Sequence, residues 1–175
     1  PHINESYYDF TVTGNDIRFG LLAIKNLGRQ FIDHIIKERK NGKYKSLYDF
    51  CSRMYDKTIN SRALESLIKC GAIDNLGANR RQMLAVDKVV LDSITFESKK
   101  NGRGQISLFD SDEDIKASSE PEMPILDEFP VSELLFMENE VAGMYLSGHP
   151  LNDYEDYAKA AKTDKIGNII SQESE

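Results

Sequence analysis

Apolar periodicity constrains this fold more than any other sequence feature. Between residues 21 and 96, apolar side chains recur three and four positions apart, as they do on the buried face of an amphipathic helix. A leucine-glycine pair interrupts the pattern twice, at residues 27–28 and 76–77. Each pair separates two helical stretches, which predicts two helix–turn–helix units and a degenerate internal repeat. The predicted buried faces comprise Phe31, Ile32, Ile35, Ile36, Ala63, Leu64, Leu67, Ile68, Met83, Leu84, Val90, Leu91 and Ile94.

Polar residues predict where these helices begin. Ser46, with Asp49 three positions later, fits a capping box, and Asn60 or Ser61 fits the N-cap of the next helix. Asp87 and Lys88 fall on the predicted solvent side of the last helix.

The remaining segments predict a short hairpin, an arm and further helices. Residues 7–20 alternate around a Gly-Asn pair, which is typical of a β-hairpin. Residues 98–130 contain three prolines and many acids, as expected of a linker or loosely held arm. Ser132 is a candidate cap for one more helix, and residues 151–161 predict another. The fold class is therefore mainly α.

Charge is distributed unevenly along the 175 residues. The net charge is −7, yet residues 1–104 contain 18 Lys and Arg against 12 Asp and Glu. Residues 105–175 contain 4 Lys and Arg against 17 Asp and Glu. A basic front half and an acidic back half favour different partners. Because no run of about 18 apolar residues occurs, no membrane partner is predicted.

A phosphate-binding hairpin is predicted at residues 26–28. A tight turn followed by a helix directs unpaired N–H groups outward, and the helix dipole adds positive potential. Such a site holds a backbone phosphate without reading any base. Lys25 and Arg29 flank it, and Asn26 tolerates the left-handed conformation that the turn needs. The alternative is a plain helix–helix corner with surface lysines.

Other cations extend this prediction. Residues 37–45 contain five basic residues and a single acid. Arg80 and Arg81 stand in the first turn of a helix, where cations are disfavoured unless an anion binds between them. Solvated charged faces are the alternative interpretation. The predicted DNA-binding residues are Lys25, Asn26, Leu27, Gly28, Arg29, Lys40, Lys43, Arg80 and Arg81.

A short peptide motif lies in the polar arm at Gln105, Leu108 and Phe109. Adjacent leucine and phenylalanine side chains suit an apolar pocket, each worth about 1.5–3 kcal/mol when fully buried. The glutamine amide both donates and accepts hydrogen bonds, which fixes the direction of the peptide. We expect these residues to dock on a partner protein; the alternative is a small local core pair.

No catalytic or metal-binding residue is predicted. Phosphoryl transfer by a polymerase requires carboxylates that hold two metal ions, whereas the acids here cluster in the arm. Cys51 and Cys70 lack ligand spacing and are expected to be buried thiols of a reducing compartment. The chain is therefore expected to need no cofactor of its own.

Several stretches together resemble the alpha subunits of bacterial DNA polymerase III, the family C replicative polymerases. They read "NESYYDFTVTGNDIRFGLLAIKNLG", "SLYDFC", "NSRALESLIKCGAIDNLGANRRQMLA", "GRGQISLFD" and "ENEVAGMYLSGHPL", in that order, over residues 3–155. Within them, the first hairpin resembles a helix-hairpin-helix element, and "QISLF" resembles the peptide by which bacterial replication proteins bind the sliding clamp.

The resemblance implies four parts of a longer polypeptide. Residues 1–20 would end the fingers region, and residues 21–97 would form a tandem helix-hairpin-helix domain that binds duplex DNA. Residues 98–130 would be a flexible arm with the clamp-binding motif, and residues 131–175 would lead to an oligonucleotide-binding domain. The implied role is to tether a bacterial, cytoplasmic polymerase to DNA, the clamp and other replisome subunits during processive replication.

Catalysis would belong to other parts of the parent, a Mg²⁺-dependent nucleotidyltransferase, and this segment should have no such activity. A different class stays open: a replisome interaction scaffold without direct DNA contact, which the net negative charge favours. A DNA-binding module of a repair protein is a third possibility.

Overall fold

The computed structural model describes residues 1–55, 59–102 and 120–161, with the side chains of residues 99–102 excepted. Within these ranges the fold is mainly α with one two-stranded sheet, as predicted from the sequence. The strands are β1 (Thr11–Thr13) and β2 (Asp16–Arg18), and the helices are α1 (Arg29–Glu38), α2 (Leu47–Met54), α3 (Ser61–Lys69), α4 (Arg80–Gly102), α5 (Val131–Ala142) and α6 (Glu155–Ala160).

The predicted β-hairpin is confirmed, with strands of three residues each. Thr11 pairs with Arg18 and Thr13 with Asp16 in antiparallel register. Gly14 has a φ of 62° in the connecting turn, a conformation that glycine adopts without steric cost. Short 3₁₀ turns also occur at Leu21–Ala23, Arg39–Asn41, Asp74–Leu76 and Asn152–Tyr154.

Two of the three predicted helix caps are confirmed. Ser46 Oγ accepts a hydrogen bond from the Asp49 amide at 3.1 Å. Asn60 Oδ1 accepts one from the Ala63 amide at 2.9 Å. The prediction for Ser132 is wrong, because α5 begins after Pro130, which has no side-chain group to donate or accept. α4 also continues to Gly102, so the first residues of the predicted arm, residues 98–102, are helical.

The predicted apolar faces form the core. α1 packs against α2, whereas α4 packs against both α2 and α3. The prediction that Asp87 faces solvent is wrong, since only 6% of this residue is exposed. Its carboxylate accepts a hydrogen bond from the Lys88 amide at 2.7 Å. Burial, which disfavours the charged form, raises the pKa of Asp87.

A buried ionic cluster joins α4 to the rest of the fold. The Arg80 guanidinium donates to both Asp74 oxygens, to the Lys69 carbonyl at 3.1 Å and to Glu138 Oε1 at 3.0 Å. Glu138 is fully buried, and its Oε2 accepts hydrogen bonds from the amides of Leu146 and Ser147 at 2.7 and 2.9 Å. Every charge in this cluster therefore has a partner, as burial of ions requires.

Gly71 makes room for this cluster. Its φ is 72°, and a Cβ at this position would collide with the Arg80 guanidinium and lie 2.7 Å from an Asp74 oxygen. Both the backbone conformation and the space therefore require glycine at the end of α3.

We expect Glu138→Gln to lower the free energy of unfolding by about 3 kcal/mol at neutral pH, because it leaves a buried guanidinium short of a counter-charge. Burial opposes ionisation of Glu138, but the amides of Ser147 and Leu146 and the Arg80 guanidinium outweigh it, so its pKa is lowered. The contribution is thus present above the unfolded-state pKa of about 4.3 and lost as the pH falls through the folded-state value.

Urea denaturation of the parent chain and of Glu138→Gln at neutral and acid pH tests this expectation. Glu133→Gln is the matched control, because Glu133 lies exposed in the first turn of the same helix and should contribute only about 0.3–1 kcal/mol through the helix dipole. Equal effects of the two substitutions at neutral pH would contradict the role assigned to Glu138.

Candidate nucleic-acid interface

The first hairpin connects the 3₁₀ turn at Leu21–Ala23 to α1. Asn26 has a φ of 65°, so it adopts the left-handed conformation predicted from the sequence. Its side-chain amide donates to Ser66 Oγ on α3 at 2.9 Å. Leu27 is buried in the core and fixes the hairpin to it. The turn is therefore held from two sides.

The N-terminus of α1 is open. Gly28 is its N-cap residue and provides no side-chain hydrogen bond, so the first turn lacks the usual internal acceptor. Among the described residues, no acceptor binds the amides of Arg29, Gln30 and Phe31; the first helical bond is donated by Ile32 to Gly28. Gln30 and Phe31 line a cleft of about 220 Å³ together with Gly28, with Asn60, the cap of α3, and with Ala63.

Cations border this open N-terminus. Arg29 is exposed and has no ion-pair partner in the described part of the chain. Lys25 is also exposed, but its ammonium donates to the Glu140 carbonyl at 2.6 Å. Its backbone amide donates to the Val141 carbonyl at 2.8 Å, so α5 ends beside the hairpin. The helix dipole and Arg29 together give this surface a positive potential.

Lys40 and Lys43 lie farther along, after α1 ends. Both are exposed, as are Lys37 and Lys45, and none has a carboxylate partner among the described residues. Arg39 behaves differently, because its guanidinium donates to the carbonyls of Ile3 and Ser6 and stabilises the N-terminal segment. The predicted basic stretch is therefore mostly a solvent-facing surface, and Arg39 belongs to the fold.

The second hairpin differs from the first at the start of α4. Gly77 has a φ of 85° and turns the chain, and Asn79 and Gln82 then cap each other's amides. The next two amides, of Arg80 and Arg81, donate to Glu128 Oε2 and Oε1 at 2.9 and 3.1 Å. All four N–H groups that a helix leaves unsatisfied at its start therefore have acceptors, since Met83 donates to the Asn79 carbonyl.

This arrangement changes the interpretation of the two arginines. The sequence predicted an anion between them, and the structure has one, but it is the protein's own Glu128. The Arg80 side chain is buried in the ionic cluster, where a DNA phosphate has no access to it. The Arg81 guanidinium lies 5.6 Å from the centroid of the Phe129 ring. Direct phosphate binding by Arg80 is thus inconsistent with its burial.

Two residues that lie beside the hairpins are not identified by the sequence analysis. Arg62 is exposed in the first turn of α3 and lines a second small cleft beside Asn26. Its helix was recognised by apolar spacing, which says nothing about an outward arginine. Glu128 lies in a segment without periodicity and accepts a hydrogen bond from the Arg81 amide, 47 positions away. No local sequence pattern predicts a contact between positions so far apart.

The predicted clamp-binding residues Gln105, Leu108 and Phe109 lie outside the described residues. Within the described ranges, no group of His, Cys, Asp and Glu side chains is arranged to hold a metal ion. No helix in those ranges is both long and apolar enough to cross a membrane. Burial raises the pKa of Cys70 to about 12, so this thiol stays protonated at neutral pH.

We expect Asn26→Ala to lower the free energy of unfolding by about 2 kcal/mol, because it loses the bond to Ser66 and places alanine at positive φ. Asn26→Gly should cost less, since glycine removes only the bond. Gly28→Ala is the control: its φ of −83° suits alanine and no atom lies within 4 Å of the added Cβ, so it should cost only about 0.5–1 kcal/mol, the usual preference for glycine over alanine at an N-cap. Thermal denaturation ranks the three, and a larger loss for Gly28→Ala than for Asn26→Ala contradicts this geometry.

Comparison with known proteins adds an independent observation. Residues 1–83 match the family described as "Helix-hairpin-helix motif". The chain is 42% identical to the DNA polymerase III subunit alpha of Borreliella burgdorferi over 89% of its length, and 34% identical to that of Saccharopolyspora erythraea over 100% of its length. It is also 42% identical to the Deinococcus radiodurans protein over 92% of its length.

The matched region is a small part of each relative. The chain spans only 14, 15 and 12% of the length of these three proteins. The family match ends at residue 83, so it includes both hairpin turns, at residues 26–28 and 76–77. The chain is therefore the counterpart of one segment of DNA polymerase III alpha subunits, and its residues 1–83 match the helix-hairpin-helix family.

Proposed function

We propose that this segment binds the backbone of duplex DNA through its first hairpin. The observation that carries the proposal is the open N-terminus of α1, where three consecutive amides have no acceptor among the described residues. A phosphate oxygen is a suitable acceptor for such amides, and the helix dipole favours its charge. The helix-hairpin-helix match over the same residues supports this use.

The proposed contacts are independent of base sequence. Backbone amides and the Arg29 guanidinium bind phosphate oxygens, which are the same at every base pair. The exposed residues Lys37, Lys40, Lys43 and Lys45 add positive charge, and Arg62 adds one beside Asn26. Binding should therefore weaken steeply with salt as counterions are released.

In a longer polymerase, such a segment would hold the duplex while another part of the protein performs nucleotidyl transfer. The relatives are DNA polymerase III alpha subunits by name, and we extend their role in replication to the parent of this chain. Mg²⁺ would belong to that catalytic part. Processive replication in the bacterial cytoplasm, together with other replisome subunits, follows from the same proposal.

Gly28→Asp is expected to weaken DNA binding without weakening the fold. The new carboxylate can accept from the first-turn amides as an N-cap, so stability should stay equal or rise by up to about 1 kcal/mol. It also puts a negative charge where the phosphate would bind. We expect the dissociation constant for a duplex to rise roughly tenfold or more, equivalent to about 1.4 kcal/mol.

Fluorescence anisotropy with a labelled duplex at several salt concentrations measures this effect. Gly28→Ala is the uncharged control and should bind like the parent chain. Gly28→Ser also caps the first-turn amides but adds no charge, so it separates the effect of occupying the amides from that of the negative charge. If the parent chain binds no duplex even at low salt, the interaction-scaffold alternative gains support. Equal affinity of the aspartate and alanine variants would exclude the first hairpin as the phosphate site.

We also propose that Gln105, Leu108 and Phe109 attach the polymerase to the sliding clamp. Only the sequence supports this proposal, through a glutamine and two adjacent apolar anchors in a polar arm. Burial of both anchors would contribute roughly 3–6 kcal/mol, and ordering the arm would cost a few kcal/mol. The motif alone should then bind weakly, about micromolar to millimolar. Attachment to DNA would raise its effective concentration.

Substitution of Leu108 and Phe109 by alanine should abolish detectable clamp binding, because the two side chains are expected to fill one pocket. Surface plasmon resonance with immobilised clamp tests this, and duplex binding and helix content should remain unchanged. Substitution of Ile106 and Ser107, the two variable positions between the anchors and Gln105, is the matched control and should have little effect. A double variant that binds the clamp as well as the parent chain would overturn the proposal.

A further inference from the structure

We propose that Glu128 decides which hairpin takes DNA: its carboxylate occupies the anion position of the second hairpin and leaves the first as the site of entry. This inference rests on the proposed DNA-binding function and adds to it a residue that determines where the phosphate binds. It follows from the difference between the starts of α1 and α4. Both helices follow a hairpin turn, but the first amides of α4 have a carboxylate acceptor and those of α1 have no acceptor among the described residues.

The occupancy of the second hairpin is complete. Glu128 accepts the amides of Arg80 and Arg81 with its two oxygens, and Oε1 also accepts the Phe129 amide at 2.9 Å. An ionised carboxylate with several amide donors is a strong acceptor. It presents two oxygens to consecutive amides at a helix start, as a phosphate does at such a site.

The segment that carries Glu128 is bound to the same hairpin on both sides of the carboxylate. We call residues 124–129 the strap. The Asn79 side-chain amide donates to the Leu126 carbonyl at 2.7 Å, and the Gln82 side-chain amide donates to the Pro124 carbonyl at 2.8 Å. Arg81 lies over the Phe129 ring. Asn79 and Gln82 thus both cap α4 and hold the strap over it.

Electrostatics favours exclusion of DNA from this position. A phosphate that approached the start of α4 would meet the charge of Glu128 and of the neighbouring Asp127, which is exposed and has no hydrogen bond among the described contacts. It would also have to displace the bonds that Glu128 makes. At the first hairpin no carboxylate is present in the cleft, whose described lining is neutral.

Glu128→Ala should leave the amides of Arg80 and Arg81 without their acceptor and so make the second hairpin available to a phosphate. We expect the affinity for a duplex to rise about three- to tenfold and the dependence of log K on log salt to steepen by about 0.9 for each phosphate gained. Asp127→Ala is the matched control, because it removes the same charge one residue away without freeing an amide. It should raise affinity less than twofold and leave the salt dependence unchanged.

Amide chemical shifts identify the hairpin directly. In the parent chain, addition of duplex should shift the amide signals of Arg29, Gln30 and Phe31 and leave those of Arg80 and Arg81 unchanged. In Glu128→Ala, the signals of Arg80 and Arg81 should shift as well. Glu128→Gln keeps the side-chain length but removes the charge and replaces one accepting oxygen by a donating NH₂ group. It should behave between the two and serves if the alanine variant is unstable.

The outcomes separate the two proposals. If no variant binds duplex, the DNA-binding function itself is wrong. The role of Glu128 is overturned if the parent chain binds duplex and Glu128→Ala matches Asp127→Ala in both affinity and salt dependence. Shifts of the Arg80 and Arg81 signals in the parent chain at low DNA concentration would also overturn it, because the second hairpin would then be open.

Discussion

The buried guanidinium of Arg80 joins α5 and the turn after α3 to the start of α4. Arg80 is 6% exposed, and a charge at that depth persists only with paired, hydrogen-bonded partners. Asp74 comes from the turn after α3, and Glu138 comes from α5, 58 positions away, so the requirement for partners holds this turn, the start of α4 and α5 around one group. Glu138 then fixes the chain after α5 through the amides of Leu146 and Ser147.

The position of α5 connects this cluster to the first hairpin. The C-terminal end of α5 accepts the Lys25 amide through the Val141 carbonyl and the Lys25 ammonium through the Glu140 carbonyl. The same helix therefore contacts the ionic cluster with Glu138 and the proposed DNA-binding turn with its last residues. The hairpin that precedes the open amides of α1 is thus hydrogen-bonded to α5 and, through Asn26, to α3, which favours phosphate binding because less has to be ordered on contact.

The helices and the first hairpin could be predicted because their determinants are local. Asn60 caps α3 with its own side chain, and Asn26 adopts positive φ because of its own chemistry. The burial of the Arg80 side chain could not be predicted for the opposite reason. A cation in the first turn of a helix implies a nearby anion, but whether that anion is a ligand or a carboxylate of the same chain depends on segments 47 to 58 positions away.

Spacing and composition alone specify the helical class, the apolar faces, the hairpin turns and the sign of the charge in each half, because they act over a few residues. Contacts between distant parts of the chain are needed to explain why one hairpin is open and the other filled. That difference arises because Glu128 returns from the acidic half to satisfy the amides of α4, while the glycine before α1 leaves its amides without an acceptor among the described residues. Contacts between distant positions follow from packing, and no local pattern specifies them.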